Sequence, residues 1–254
     1  MKTVLIPVQL CEHVLKHKLN KPFQLYILLK SLCDGKMKIP KSEYPVLAAM
    51  LNRKSGKTIN NNLKKLLALN LVGYSADSQY YFIRSLKHLQ NQFNLDALTC
   101  AEFSISDIHR IQEFCLAAVA GHLVIQQKRK QWLFERKKWR SNQDSRSSSL
   151  LPYNQVTNTY LVKRLGISLQ TAFSLKKKAH EAGFVEIKKH FKPLYRAVYD
   201  KWAFLKGNPE LANCVRVHDK MLYLQMPDEL IPKLRFKSRK KIKTYISGGI
   251  RGRI

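Results

Sequence analysis

The chain has 254 residues, 45% of them hydrophobic, with 46 Lys/Arg against 17 Asp/Glu and a formal net charge of +29. That length allows one large domain or two of about 100 residues, and the apolar content can build real cores, which excludes a disordered polycation. Such an excess charge works against a compact fold unless a polyanion neutralises it, so nucleic acid is the first expected partner and an anionic membrane surface the lesser one.

Val4–Leu10 reads as a short strand or extended arm. A helix over Phe23–Cys33 follows, apolar on most sides, with Pro22 suited to its first turn and Asp34-Gly35 stopping it. A second helix is expected over Glu43–Leu51, with Ser42 as cap and Pro45 in the first turn. Ser55-Gly56 opens a third, whose Ile59, Leu63, Leu66 and Leu67 share one face. Leu71–Tyr74 and Tyr80–Ile83 are strand-like and joined by the turn cluster Ser75–Ser78. Residues 86–103 form a connector without clear period.

A long helix is expected from Ser106 to about Trp139, apolar in its first half and basic in its second. Residues 141–149 (SNQDSRSSS) are a polar linker. A helix over Thr157–Leu165 stops at Gly166, and another runs over Leu169–Ala182 with Gly183 after it. Phe184–Lys189 and Tyr195–Tyr199 are read as a hairpin with His190–Pro193 at its tip. Beyond residue 200 the pattern is weak: Asn208-Pro209 marks a turn and Met221–Met226 is apolar. From Lys233 to Ile254 there are nine Lys/Arg and no acidic residue, a tail expected to lack structure until it meets its partner.

The charge follows the same division. Residues 1–120 hold 16 Lys/Arg and 8 Asp/Glu, net +8, and residues 121–254 hold 30 and 9, net +21. Five widely spaced cysteines with no CxxC read as reduced thiols of a cytoplasmic chain. MKTVLIPVQL lacks a signal-peptide pattern, and no window approaches 18 uncharged apolar residues, so no membrane span or membrane partner is expected.

One stretch occurs twice. Thr58–Val72 (TINNNLKKLLALNLV) aligns without a gap on Thr171–Val185 (TAFSLKKKAHEAGFV). Each is a basic helical segment, then a residue that tolerates left-handed backbone, then a strand-like run. Gly166 supplies the turn before the second copy, Ala172 is small where two helices approach, and Leu175 and Ala179 continue the buried face. That leaves Gln170, Thr171, Ser174, Lys177 and Lys178 exposed. In the first copy the matching set is Lys57, Thr58, Asn60, Asn61, Lys64 and Lys65. Amides, hydroxyls and cations of this kind suit base edges and phosphates of a DNA groove. Lys188, Lys189 and Lys192 flank the second hairpin and suit phosphate contact, whereas the first hairpin's turn has no basic residue.

Both copies resemble the recognition helix and wing of the winged-helix superfamily. Two such modules joined by a long helix, with a basic tail, are similar to replication initiators of plasmids and mobile elements and to tandem winged-helix regulators. The resemblance implies a mainly α fold with small β-hairpins (α+β). Its divisions are a first module at 1–86, a connector at 87–103, a second module at 104–200, an extension at 201–232 and the tail at 233–254. It also implies a non-enzymatic, sequence-specific binder of double-stranded DNA, whose first module reads an adjacent site or makes a homodimer. An RNA-binding or assembly protein is the first rival, and a DNA-processing enzyme the second.

Other motifs fail on spacing. Ser55-Gly56-Lys57-Thr58 ends like a phosphate-binding loop, but Leu51 stands where that loop needs glycine. His13 and His17 lack a third ligand nearby, so no metal or other cofactor is expected. The acidic residues form no pair that could hold catalytic metals. Trp132, Phe134 and Trp139 interleave with the basic run at 128–140 and are expected to pack on the second module rather than to stack on bases.

Overall fold

The computed structural model describes residues 2–33, 35–53, 55–94, 99–140, 156–194, 201–212, 214–218 and 221–238. The fold is mixed, with helices dominant and small antiparallel sheets. It opens with strand β1 (Thr3–Pro7) and helix α1 (Val8–Lys16). The extended run expected to reach Leu10 therefore ends at Pro7, whose fixed φ and missing N–H suit the position before a helix. From there Val8, Cys11, Val14 and Leu15 recur at helical spacing and are buried.

Helix α2 (Asn20–Leu32) is buried on nearly every side, and β2 (Lys36–Met37) follows it. Helix α3 (Tyr44–Met50) is entered through a 3-10 turn at Lys41–Glu43, so Ser42 lies inside that turn and makes no cap bond. Helix α4 (Gly56–Ala68) is capped by Ser55, whose Oγ accepts from the Lys57 N–H. Strands β3 (Val72–Ser75) and β4 (Tyr80–Ile83) form the expected hairpin, in register from Val72↔Ile83 to Ser75↔Tyr80. Strand β2 adds to its other edge, giving the sheet order β2-β4-β3.

The described residues of the connector form regular elements. Helix α5 (Leu86–Gln92) is capped by Ser85, and β5 (Thr99–Ser104) is the middle strand of a three-stranded sheet. A 3-10 stretch at Ile105–Arg110 then leads into the 30-residue helix α6 (Ile111–Arg140). The 3-10 lead-in and most of this helix, Ile105–Phe134, are together long and apolar enough to cross a bilayer, contrary to the expectation of no such segment. Of its most apolar 18 residues 67% are buried inside the fold, and the helix packs against α1, α8 and β10. Trp132 and Phe134 do not pack on the second module: both are exposed, and the Arg136 guanidinium lies 5.2 Å from the Trp132 ring.

Helix α7 (Asn158–Leu165) is capped by Thr157 and ended by Gly166 at φ 63°. Helix α8 (Leu169–Glu181) is capped by Ser168, whose Oγ accepts from the Thr171 N–H. After it come β6 (Val185–Lys188), β7 (Phe191–Pro193), α9 (Lys201–Gly207), β8 (Val215–His218), β9 (Met221–Gln225), β10 (Glu229–Pro232) and β11 (Phe236–Ser238).

Pairing in this half departs from the sequence reading. Strand β6 pairs with β10, more than 40 residues on, and β7 pairs with β9 in a separate sheet of order β7-β9-β8. Residues 190–193 are thus no hairpin tip, because β7 belongs to that other sheet. The expected strand at 195–199 lies outside the described residues, as do the linker 141–149 and residues 239–254. The start of the expected tail is ordered. Strand β11 pairs with β5, completing the sheet β1-β5-β11, and Lys237 comes within 3.7 Å of Glu102.

The C-terminal strands thus join both halves, β10 to the second repeat and β11 to the N-terminal sheet. They cross α6 at Gly121, where a Cβ would stand 2.8 Å from Pro232 and 2.9 Å from Phe236. The core is continuous, running from Ile6 and Phe103 through Phe114 and Val119 to Ala172 and Leu230. Phe103 meets Phe114, and Phe114 meets Phe184, at ring-centroid distances of 4.6 and 5.8 Å.

Candidate nucleic-acid interface

The two copies coincide at an offset of 113 residues. Cap Ser55 matches Ser168, α4 matches α8 (13 residues each), and β3 matches β6. The C-terminal turns match bond for bond. Asn70 (φ 51°) and Gly183 (φ 76°) are both left-handed. The Leu71 and Phe184 N–H groups bond the Leu66 and Ala179 carbonyls at 2.9 and 3.0 Å, which satisfies carbonyls the helix end leaves open.

Burial follows the same offset. Ile59 and Ala172, Leu66 and Ala179, and Val72 and Val185 face the core in pairs. Lys64 and Lys65 match Lys177 and Lys178, all exposed. Each helix therefore turns one stripe into the protein and its aligned Lys-Lys pair outward, as the 3.6-residue period dictates.

The structure sorts the expected contact residues. On α4, Lys57, Asn61, Lys64 and Lys65 are exposed, while Thr58 and Asn60 are half-buried. Lys65 stands at a polar cleft of about 450 Å³ that also includes Lys21, Arg53 and buried Asn62. On α8, Gln170, Lys177 and Lys178 are exposed, and Thr171 and Ser174 are half-buried. The Thr171 hydroxyl lies 2.7 Å from Ser168 Oγ, within the helix cap. Lys177 Nζ is 3.8 Å from Glu181, a loose exposed pair that leaves the ammonium available to a stronger anion. Lys188, Lys189 and Lys192 are exposed, with Lys188 in register with Glu229 and Lys192 with Leu224.

Comparison with protein-family models, with curated proteins and with solved structures finds no match to this chain.

Several residues of this surface escape a reading of local sequence. Lys36 and Lys38 place their ammonium groups 5.4 and 5.2 Å from the Tyr80 ring, so the first hairpin gains the cations its own turn lacks. Lys176 sits where the first copy has Leu63, and it is buried with its Nζ 2.6 Å from Asp228 Oδ2. Its partner is 52 residues away, so no periodic pattern shows it. Glu229 meets His190 at 2.9 Å, and Lys233 meets Glu186 at 2.7 Å and holds that carboxyl below its ordinary range. These three ion pairs bind the C-terminal segment to α8, to β6 and to His190 just beyond it.

Of the histidines, His180 is exposed on α8, while His13 and His122 lie on α1 and α6. His13 stacks on Phe93 at 4.4 Å, and burial, then His17 and Lys16, lower its pKa. His122 on α6 is lowered by burial and by Arg164, against an opposing pull from Glu12. Among the described residues no group of three His, Cys, Asp or Glu side chains is placed to hold a metal.

Proposed function

We propose that this chain binds double-stranded DNA sequence-specifically through two winged-helix modules. The element order α2-β2-α3-α4-β3-β4, with sheet order β2-β4-β3, is the order a winged helix has. In the second module α6, α7, α8 and β6 stand for its helices and first wing strand. The observation that carries the reading is the 113-residue repeat itself. Cap, helix, left-handed turn, strand and outward cations all recur, in a chain of formal charge +29.

In this reading α8 enters a major groove. Gln170 and Ser174 meet base edges, and Lys177, Lys178, Lys188 and Lys189 meet phosphates. Asn61 and Lys64 do the same on α4, or the first module dimerises the chain. A replication initiator and a transcription regulator of a bacterial or mobile-element genome both use such an arrangement.

Phosphate neutralisation then dominates affinity. With about six to ten contacts, binding falls by about 10³–10⁵ between about 50 and 200 mM salt. The test is a salt titration of duplex binding. Lys177→Ala and Lys178→Ala should each weaken all sequences alike and reduce the slope of log K against log salt by about one. An unchanged slope in both variants contradicts the assignment of α8.

A further inference from the structure

We propose that the cleft between α8 and the β7-β9-β8 sheet holds a single nucleic-acid strand, with bases against its rings and phosphates against its cations. The proposal rests on reading α8 as a nucleic-acid helix, but it concerns a neighbouring stripe of that helix, which shares Lys177 with the duplex face. Phe173, Lys176, Lys177 and His180 fall at i, i+3, i+4 and i+7 and line one wall. The sheet supplies the other. Arg216 lies beside Tyr223 and Phe191 beside Gln225, and alternation along β9 puts Tyr223 and Gln225 on the same face. Between the walls is a space of about 860 Å³.

Three Phe and Tyr rings border this space, and Phe173 and Phe191 are 59% and 45% exposed. One exposed ring is ordinary, whereas several around one cleft mark a binding surface. The positions that suit a major groove do not include Phe173. Lys177, Lys189 and Arg216 add positive charge. Asp228 is the one carboxylate among the described lining residues, and Lys176 already holds it. A purely apolar occupant would draw this positive charge out of water and offer it no anion. The chain's own residues 239–254 contain no Asp or Glu, so charge disfavours them as the occupant. An unpaired strand offers both of the required chemistries, because every base has a stacking face and every linkage a phosphate.

The test uses the full chain and labelled single strands of about 12 nucleotides, one of thymidine and one of uridine, beside a labelled duplex. At least one single strand should bind, and which of the two binds tighter separates DNA from RNA. Phe173→Ala and Tyr223→Ala should each weaken single-strand binding by about 5- to 100-fold and leave duplex binding within about twofold. Lys178→Ala should do the reverse. Single-strand binding that neither ring substitution changes, or no single-strand binding at all, overturns the proposal and leaves the cleft to a protein partner. If single strands respond as expected and the duplex does not bind, the duplex reading fails and the cleft assignment stands. If the duplex binds and single strands do not, the cleft assignment alone fails.

Discussion

The unit from Ser55 to Ser75 and the unit from Ser168 to Lys188 share length, cap, turn and burial pattern, yet they are completed by different means. In the first, β3 pairs with β4 across a four-residue turn, and Leu63 fills the helix–core contact with hydrocarbon. In the second, β6 pairs with β10 from the distant C-terminal segment, and buried Lys176 takes the place of Leu63. The first unit is closed by local chain. The second depends on a remote strand, and its buried lysine requires the carboxylate that strand brings. A local pattern can thus specify a helix and its exposed face without specifying what covers its strand.

The largest expected effect comes from breaking the feature in which the units differ most. Asp228→Ala leaves the Lys176 ammonium buried and unpaired, so unfolding in denaturant should show a loss of about 3–5 kcal/mol. Adding Lys176→Leu, the residue the first unit has, should recover most of that loss. No recovery would mean the two units do not pack equivalently at this position.

The caps sharpen the likeness rather than the difference. Ser55→Ala and Ser168→Ala each remove an acceptor for an open helix N–H and should each cost about 1 kcal/mol. Clearly unequal losses would argue against equivalent helix starts.

A smaller effect should appear with pH, and on the second unit's side, where His122 of α6 feels the charge of Arg164 on α7. Burial and the Arg164 charge lower the pKa of His122 from its ordinary 6.5. The unfolded chain therefore takes up this proton first as pH falls, and stability present above about pH 6.5 is lost as pH falls through the folded-state value. His13 adds in the same direction. His122→Gln should flatten the slope of stability between neutral and acid pH, and an unchanged slope would remove His122 as a cause.

Much of both units was legible in the sequence because their signals are local. Ser55-Gly56 before one apolar stripe, the Gly166 turn before the other, and a residue tolerant of left-handed backbone after each gave helix ends close to those found. The hairpin at 72–83 followed from two strand-like runs and a short turn. Helix α1 was hidden because Val8–Leu10 continues the apolar run of β1, and only Pro7 marks the change. Strand β5 and the C-terminal strands were hidden for a different reason. Their partners lie far away in sequence, and strand propensity depends on the neighbours a strand acquires. The second wing was assigned the nearest strand-like run for the same reason. Of the candidate interface, the exposed cations were legible. Lys36, Lys38 and the Lys176–Asp228 pair were not, since each depends on tertiary approach.

Selection of bound sequences from a random duplex library, at near-physiological salt with competitor DNA, tests the central claim most directly. The account predicts a single enriched motif, whose preferred bases shift in Gln170→Ala or Asn61→Ala. A direct repeat would point to an initiator at iterated sites, and a palindrome to a dimeric regulator. No enrichment, with retention that vanishes as salt rises, would contradict sequence reading by either helix.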